Sequence, residues 1–203
     1  MSVVVRPIRR EEFPVGARVL ASAFLDSPRF SYLVPDAGHR RAKLEWYWAA
    51  SMTLAMANGQ VNVAIDDAGD GIGGVAIWEA PGGEVPLRTR LASGMWMAPV
   101  RLGIGSWLRK RRLGPALAAV EPAGDHWYLN AIGVDPTVRR NGLAKALLDS
   151  MLSKIDEAGL PVFLDTSGGW LLPYYQSFGF AVSSEETLPN GIPLWGMVRP
   201  ARE

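Results

Sequence analysis

Apolar and polar positions along this chain follow two different periods. Val3 to Ile8 is short and β-branched, and predicts an opening strand. Glu11 to Phe24 places Val15, Val19, Leu20, Ala23 and Phe24 at roughly helical spacing, behind Glu11 and Glu12 at the end where a helix dipole favours acids. Ser27-Pro28 breaks the pattern, so Asp26 to Pro35 is expected as a loop or a short helical turn. His39 to Ala57 reads as a second helix. Gln60 to Ile65 and Ile72 to Trp78 flank a run of turn formers, Asp66 to Gly71, and predict an antiparallel hairpin. Val85 to Val120 is interrupted by Pro99, Gly103 and Gly105 and reads as broken helices packed over the rest of the molecule.

The second half is more regular. His126 to Val134 is a strand, ended by Asp135-Pro136. Asn141 to Ala158 is the best helix in the chain, because Ala144, Leu147, Leu148, Met151, Leu152 and Ile155 form one continuous apolar stripe. Gly159 stops it, with Pro161 just beyond. Val162 to Leu164, Phe180 to Ser183 and Ile192 to Val198 are further strands, and Trp170 to Ser177 is a short helix. Strands alternating with helices predict a mixed α/β (α+β) domain.

Composition narrows the class. The chain has 203 residues, 48% hydrophobic and 20% charged, ordinary for one globular domain able to bury its own core. It has no cysteine, which excludes a disulfide framework, a thiolate metal site and a cysteine acyl-enzyme. Two histidines without cysteine make a zinc cluster implausible, so no metal is expected. The net charge of +1 gives no global argument for nucleic acid or membrane. The apolar run at the N-terminus is too short for a signal peptide, and no 18-residue apolar stretch occurs, so a cytoplasmic location is expected. The charge is nonetheless uneven. Residues 85–120 carry seven basic residues and no acidic one, which leaves 14 basic against 20 acidic, about −6, for the rest. This segment is either a solvated lid or a docking surface for an acidic partner, membrane or phosphate.

The stretch with chemistry is Gly133-Val134-Asp135-Pro136-Thr137-Val138-Arg139-Arg140-Asn141-Gly142-Leu143-Ala144-Lys145. A strand ends, a polar loop follows, and the strongest helix begins. Small residues let a ligand approach the backbone, and unpaired N–H groups at a helix start favour an anion. Arg139, Arg140 and Lys145 add positive charge. An Arg139-x-x-Gly142-x-Ala144 loop therefore suits a pyrophosphate. Gly71-x-Gly73-x-x-Ala76 also fits a dinucleotide fingerprint, but it leads into a strand rather than a helix and is read as a turn.

From His126-Trp127-Tyr128-Leu129 through Ala144 the sequence resembles motif A of the GNAT acetyltransferase superfamily. Phe163-Leu164-Asp165-Thr166-Ser167 and Leu172-Pro173-Tyr174-Tyr175-Gln176-Ser177-Phe178-Gly179-Phe180 resemble its motif B, with a tyrosine four residues before a Gly-Phe pair. The order and spacing, with the closing Leu194-Trp195-x-Met197 strand, resemble puromycin N-acetyltransferase and its actinobacterial relatives. The resemblance implies a GNAT fold: a mixed central sheet of about seven strands, splayed at the cofactor cleft, helices on both faces, and a helical insert at about 85–120. It implies one domain over 1–203, with an acceptor side at 1–84 and an acetyl-CoA-binding core at 126–199.

The implied reaction is transfer of acetyl from acetyl-CoA to a primary amine of a small molecule, by direct attack in a ternary complex. The backbone of Ile132, Gly133 and Val134 would pair with the pantetheine arm. Arg139, Arg140, Asn141, Gly142, Leu143, Ala144 and Lys145 would hold the pyrophosphate, and Tyr175 would be the general acid. Asp165 is the candidate base or substrate-orienting carboxylate, or merely a helix cap; Glu79 and Asp26 are alternatives. Asn130, where some relatives carry Glu, cannot ionise. Leu171 replaces an Asn that often contacts the cofactor. Asp26, Phe30, Tyr32 and Trp78 are the expected acceptor pocket. A non-catalytic acyl-CoA-binding module and a peptide or protein amine acetyltransferase are the alternatives. No nucleic-acid or membrane partner is expected, and the chain is expected to be a monomer or homodimer.

Overall fold

The computed structural model describes residues 3–66, 71–83 and 85–202. Seven strands form one sheet: β1 (Val3–Pro7), β2 (Gly59–Asp66), β3 (Ile72–Glu79), β4 (Trp127–Val134), β5 (Val162–Thr166), β6 (Ala181–Thr187) and β7 (Pro193–Arg199), in the order β1-β2-β3-β4-β5-β7-β6. Every neighbouring pair is antiparallel except β4 and β5, which are parallel. Most of the expected turn between β2 and β3 lies outside the described residues.

The described residues form eight helices: α1 (Phe13–Ala23), α2 (Pro28–Leu33), α3 (Ala37–Ala55), α4 (Leu87–Ser93), α5 (Ala98–Arg101), α6 (Ile104–Val120), α7 (Leu143–Glu157) and α8 (Leu172–Gln176), of which α4 and α5 pack on α3. On one face, Leu20 of α1 and Leu44 and Met52 of α3 bury against Val63, Val75 and Ile77. Farther along that face, Leu113 and Val120 of α6 bury against Phe163 and Leu194. The stripe Leu147, Leu148, Met151, Leu152 and Ile155 of α7 covers the opposite face. Burying each such side chain stabilises the fold by roughly 1.5–3 kcal/mol.

The short helical turn expected between Asp26 and Pro35 is α2, which Pro28 starts because proline's missing N–H costs nothing in a helix's first turn. Two expectations shift. α7 begins at Leu143 rather than Asn141, because Gly142 is left-handed (φ 79°). β6 runs past Ser183 to Thr187 along β7, and its exposed Ser-Ser-Glu-Glu is the polar dress of an edge strand. The segment 85–120 is helical and broken as expected, with Pro115 inside α6.

Arg199 ties the end of β7 to the opposite layer. It is buried, forms a two-pronged ion pair with Asp156 of α7, and donates from Nε to the Phe178 carbonyl at 2.9 Å.

Candidate active site

The sheet opens at its single parallel junction. β4 pairs with β5 only from Trp127 to Leu129, opposite Val162 to Leu164. Beyond Leu129 the strands part, while β4 stays paired to β3 as far as Val134. The divergence has a local cause. Ile77 pairs with Ala131 and Trp78 with Leu129, so Asn130 is an extra residue on β4, a β-bulge that bends the strand. Its side chain donates to Glu79 Oε1 at 2.6 Å.

A cavity of about 1130 Å³ fills the opening and is lined from both faces of the sheet. One wing runs along Ile132, Gly133 and Val134 to the loop before α7. Their edge toward β5 has no strand partner. Gly133 is required by packing, because a Cβ there would stand 2.8 Å from the Ala23 Cβ of α1. Arg140 (φ 70°) and Gly142 are both left-handed and turn the chain into α7. That helix has no side-chain cap and no acid in its first turn. Its leading N–H groups are thus open to an anion. Arg139, Arg140, Gly142, Leu143, Ala144 and Lys145 all line this wing. Lys145 also pairs with Asp149 at 2.5 Å on the exposed helix surface.

The other wing is built from side chains. Phe30, Tyr47 and Trp48 supply aromatic walls, Lys110, Leu113 and Leu117 of α6 close one side, and Asp26 lies at the rim. Its floor is polar. Asp165, with its side chain 3% exposed, forms an ion pair with Arg29 and accepts from the Tyr128 hydroxyl at 2.5 Å. Burial pushes the Tyr128 phenol well above its ordinary value, reinforced by the Asp165 charge. Behind the cavity-lining Asn130, and outside the lining itself, the Glu79 carboxyl is raised, mainly by burial, against the opposing hydrogen bond from Asn130.

Tyr175 stands where the wings meet. It is buried on α8, lines the cavity, and packs edge-on against Tyr174 and Phe180. Burial drives its phenol well above the ordinary value, with smaller contributions from Tyr174 and Asp165.

Of the expected acceptor residues, Asp26 and Phe30 line the cavity and two do not. Trp78 is wholly buried, in the core under α7, and its indole N–H has no partner among the described residues. Strand alternation sends its side chain to the face opposite the aromatic wing. Tyr32 packs instead with the α6 core, against the cluster of Leu113 and Phe163. Asp165 does not cap a helix; it is the partner of Arg29 and Tyr128. Sequence reading missed Arg29 and Tyr128, since an Arg after a Ser-Pro and a Tyr in a strand carry no spacing signal.

An open sheet splayed at one parallel pair, with an uncapped helix N-terminus beside the opening, is the GNAT fold. Residues 114–200 match the acetyltransferase (GNAT) domain family. The chain is similar to an uncharacterized N-acetyltransferase, C550.08, of Schizosaccharomyces pombe, 24% identical, covering 97% of this chain and 83% of that protein. Among solved structures it resembles one described as histone acetyltransferase HPA2 and related acetyltransferase, from Corynebacterium glutamicum. That match has a TM-score of 0.73 at 23% identity and covers 100% of this chain and 98% of that one. The PaiA N-acetyltransferase of Thermoplasma acidophilum, solved in complex with coenzyme A, shares the fold with a TM-score of 0.58 at 12% identity, covering 98% of this chain and 99% of that one.

Among the described residues no group of three or more His, Asp or Glu side chains could hold a metal, and no helix is long and apolar enough to cross a membrane.

Proposed function

We propose that this protein is an acetyl-CoA-dependent N-acetyltransferase acting on a primary amine of a small molecule. The observation that carries this is the uncapped, acid-free start of α7 opening into the cavity at the β4–β5 splay. Pyrophosphate would sit on the N–H groups of Gly142 to Lys145, with Arg139 and Arg140 adding charge and Asn141 completing the loop. The pantetheine arm would complete the sheet along Ile132 to Val134. The thioester then falls beside Tyr175, facing the aromatic wing.

The chemistry is one displacement. The neutral amine nitrogen attacks the thioester carbon, a tetrahedral intermediate forms, and the C–S bond breaks. The thiolate leaves with the bonding electron pair, and the nitrogen sheds one proton. A thiol titrates near 8.5 and a phenol near 10 or above, so full transfer from Tyr175 is uphill. Its raised value keeps the phenol protonated, so its largest contribution is a hydrogen bond to the sulfur as negative charge develops. Asp165 already accepts from Tyr128 and faces Arg29, which suits orientation of the acceptor better than proton removal. Glu79 does not line the cavity; it stands behind the cavity-lining Asn130 that donates to it, so it would serve as base through an intervening water, with a carboxyl raised mainly by burial.

Calorimetry with acetyl-CoA tests the foundation. Micromolar binding that disappears in Gly142→Glu is expected, because the new carboxylate meets the pyrophosphate. No binding by the unaltered protein would overturn the reading. Release of free CoA with an amine separates the enzyme from a silent acyl-CoA-binding module.

A further inference from the structure

The aromatic wing contains a buried cation that a pocket for simple amines does not need. Arg29 lines the cavity with its side chain only 17% exposed. One guanidinium nitrogen, Nη2, donates to Asp165. The remaining N–H groups have no partner among the described residues, and they are not sealed from the cavity. A guanidinium presents five donors in a planar fork that matches a carboxylate two bonds at a time. Stripping it of water is costly, so its unused donors favour an anionic partner. Asp165 supplies one counter-charge from below and is itself spent, held by Arg29 and by the Tyr128 hydroxyl at 2.5 Å. A cationic acceptor would find that carboxylate already neutralised and a like charge beside it.

We infer that Arg29 reads a carboxylate on the acceptor, so that the preferred substrate is an amino acid or a similar amine bearing an acid group within a few bonds. Asp165 and Tyr128 are positioning residues that fix the guanidinium. The aromatic walls Phe30, Tyr47 and Trp48 are left for an apolar side chain, and Asp26, an exposed acid lining the same cavity, can meet an incoming ammonium. This rests on the N-acetyltransferase reading, and it adds the chemical class of the acceptor.

The test compares each standard amino acid with its decarboxylated amine, for instance phenylalanine with 2-phenylethylamine, by thiol release from acetyl-CoA. The carboxylated member of the best pair is expected to lead at least tenfold in kcat/KM, mostly through KM. Arg29→Met is expected to erase that lead, and Arg29→Lys to recover part of it. Arg29→Met strands the Asp165 carboxylate, so Arg29→Met with Asp165→Asn is the control if the single variant folds poorly. A lead for the decarboxylated amines, or an equal loss with both members in Arg29→Met, would overturn the inference. Calorimetry of the two N-acetyl products on the CoA-loaded protein reads the same preference without turnover. Preferential binding of the carboxylated product without CoA release would sink the enzymatic reading and keep the carboxylate site. No preference in this assay sinks the carboxylate site itself.

Discussion

The two wings of the cavity solve binding in opposite ways. The α7 wing presents backbone: an unpaired strand edge at Ile132 to Val134, two left-handed residues, and a helix start without a cap. Its charged side chains, Arg139, Arg140 and Lys145, are exposed. The aromatic wing presents side chains, and its decisive groups Arg29 and Tyr128, both largely withdrawn from water, are each bonded to Asp165. A backbone site tolerates change in side chains but not in dihedral angles. A side-chain site is the reverse, so one fold can keep its cofactor while the acceptor varies.

The largest effects belong where the wings meet. Tyr175→Phe removes one hydroxyl and little volume. The acetyl-transfer rate should fall about 10²-fold or more, in the range of a lost general acid, with acetyl-CoA affinity unchanged in calorimetry. An unchanged rate at every pH would discard the role. Glu79→Gln should cost a similar factor and alter the pH profile. Glu79 must be ionised to accept a proton, so its activity is present above its folded value and fades as pH falls through it. Because that value is raised, the acid limb should lie above the ordinary carboxylate range, and Glu79→Gln should remove it.

In the backbone wing, Gly142→Val forces a β-branched residue to φ 79° although no atom would meet its Cβ within 4 Å. The strain is about 1–3 kcal/mol. The loop should therefore rearrange, and acetyl-CoA affinity should fall about tenfold or more while the melting temperature moves only slightly. In the side-chain wing, Asp165→Asn leaves the buried Arg29 without its counter-ion. Urea unfolding should show a loss of about 3–5 kcal/mol even without ligand. The comparison fails if Gly142→Val damages stability more than Asp165→Asn does.

The same contrast explains what was legible in the sequence. The helix stripe from Ala144 to Ile155 and the small residues before it follow periodicity and spacing, so the α7 wing was readable, down to the loop. Helix and strand identities came out well for the same reason. The aromatic wing depends on long-range placement. Arg29 and Asp165 are 136 positions apart, and nothing local links them. Trp78 was misplaced because apolar runs in a strand buried on both faces hide which side each residue takes. The bulge at Asn130, which re-registers β4 where the sheet opens, has no residue signature either.

The smallest expected effect is the sharpest check on the backbone wing. Arg139 is exposed, and an exposed charge beside a phosphate is worth only about 0.5–1 kcal/mol. Arg139→Ala should therefore weaken acetyl-CoA binding about two- to fivefold at low salt. Raising the salt should shrink the gap between Arg139→Ala and the unaltered protein, because exposed charges are screened beyond roughly 10 Å at 0.1 M. The affinity that survives in Arg139→Ala at high salt belongs to the N–H groups of α7 and the strand edge, which no side-chain truncation removes. If Arg139→Ala instead abolished binding at every salt concentration, the guanidinium would be the anchor. The α7 wing would then be a side-chain site after all, built like its neighbour around one arginine.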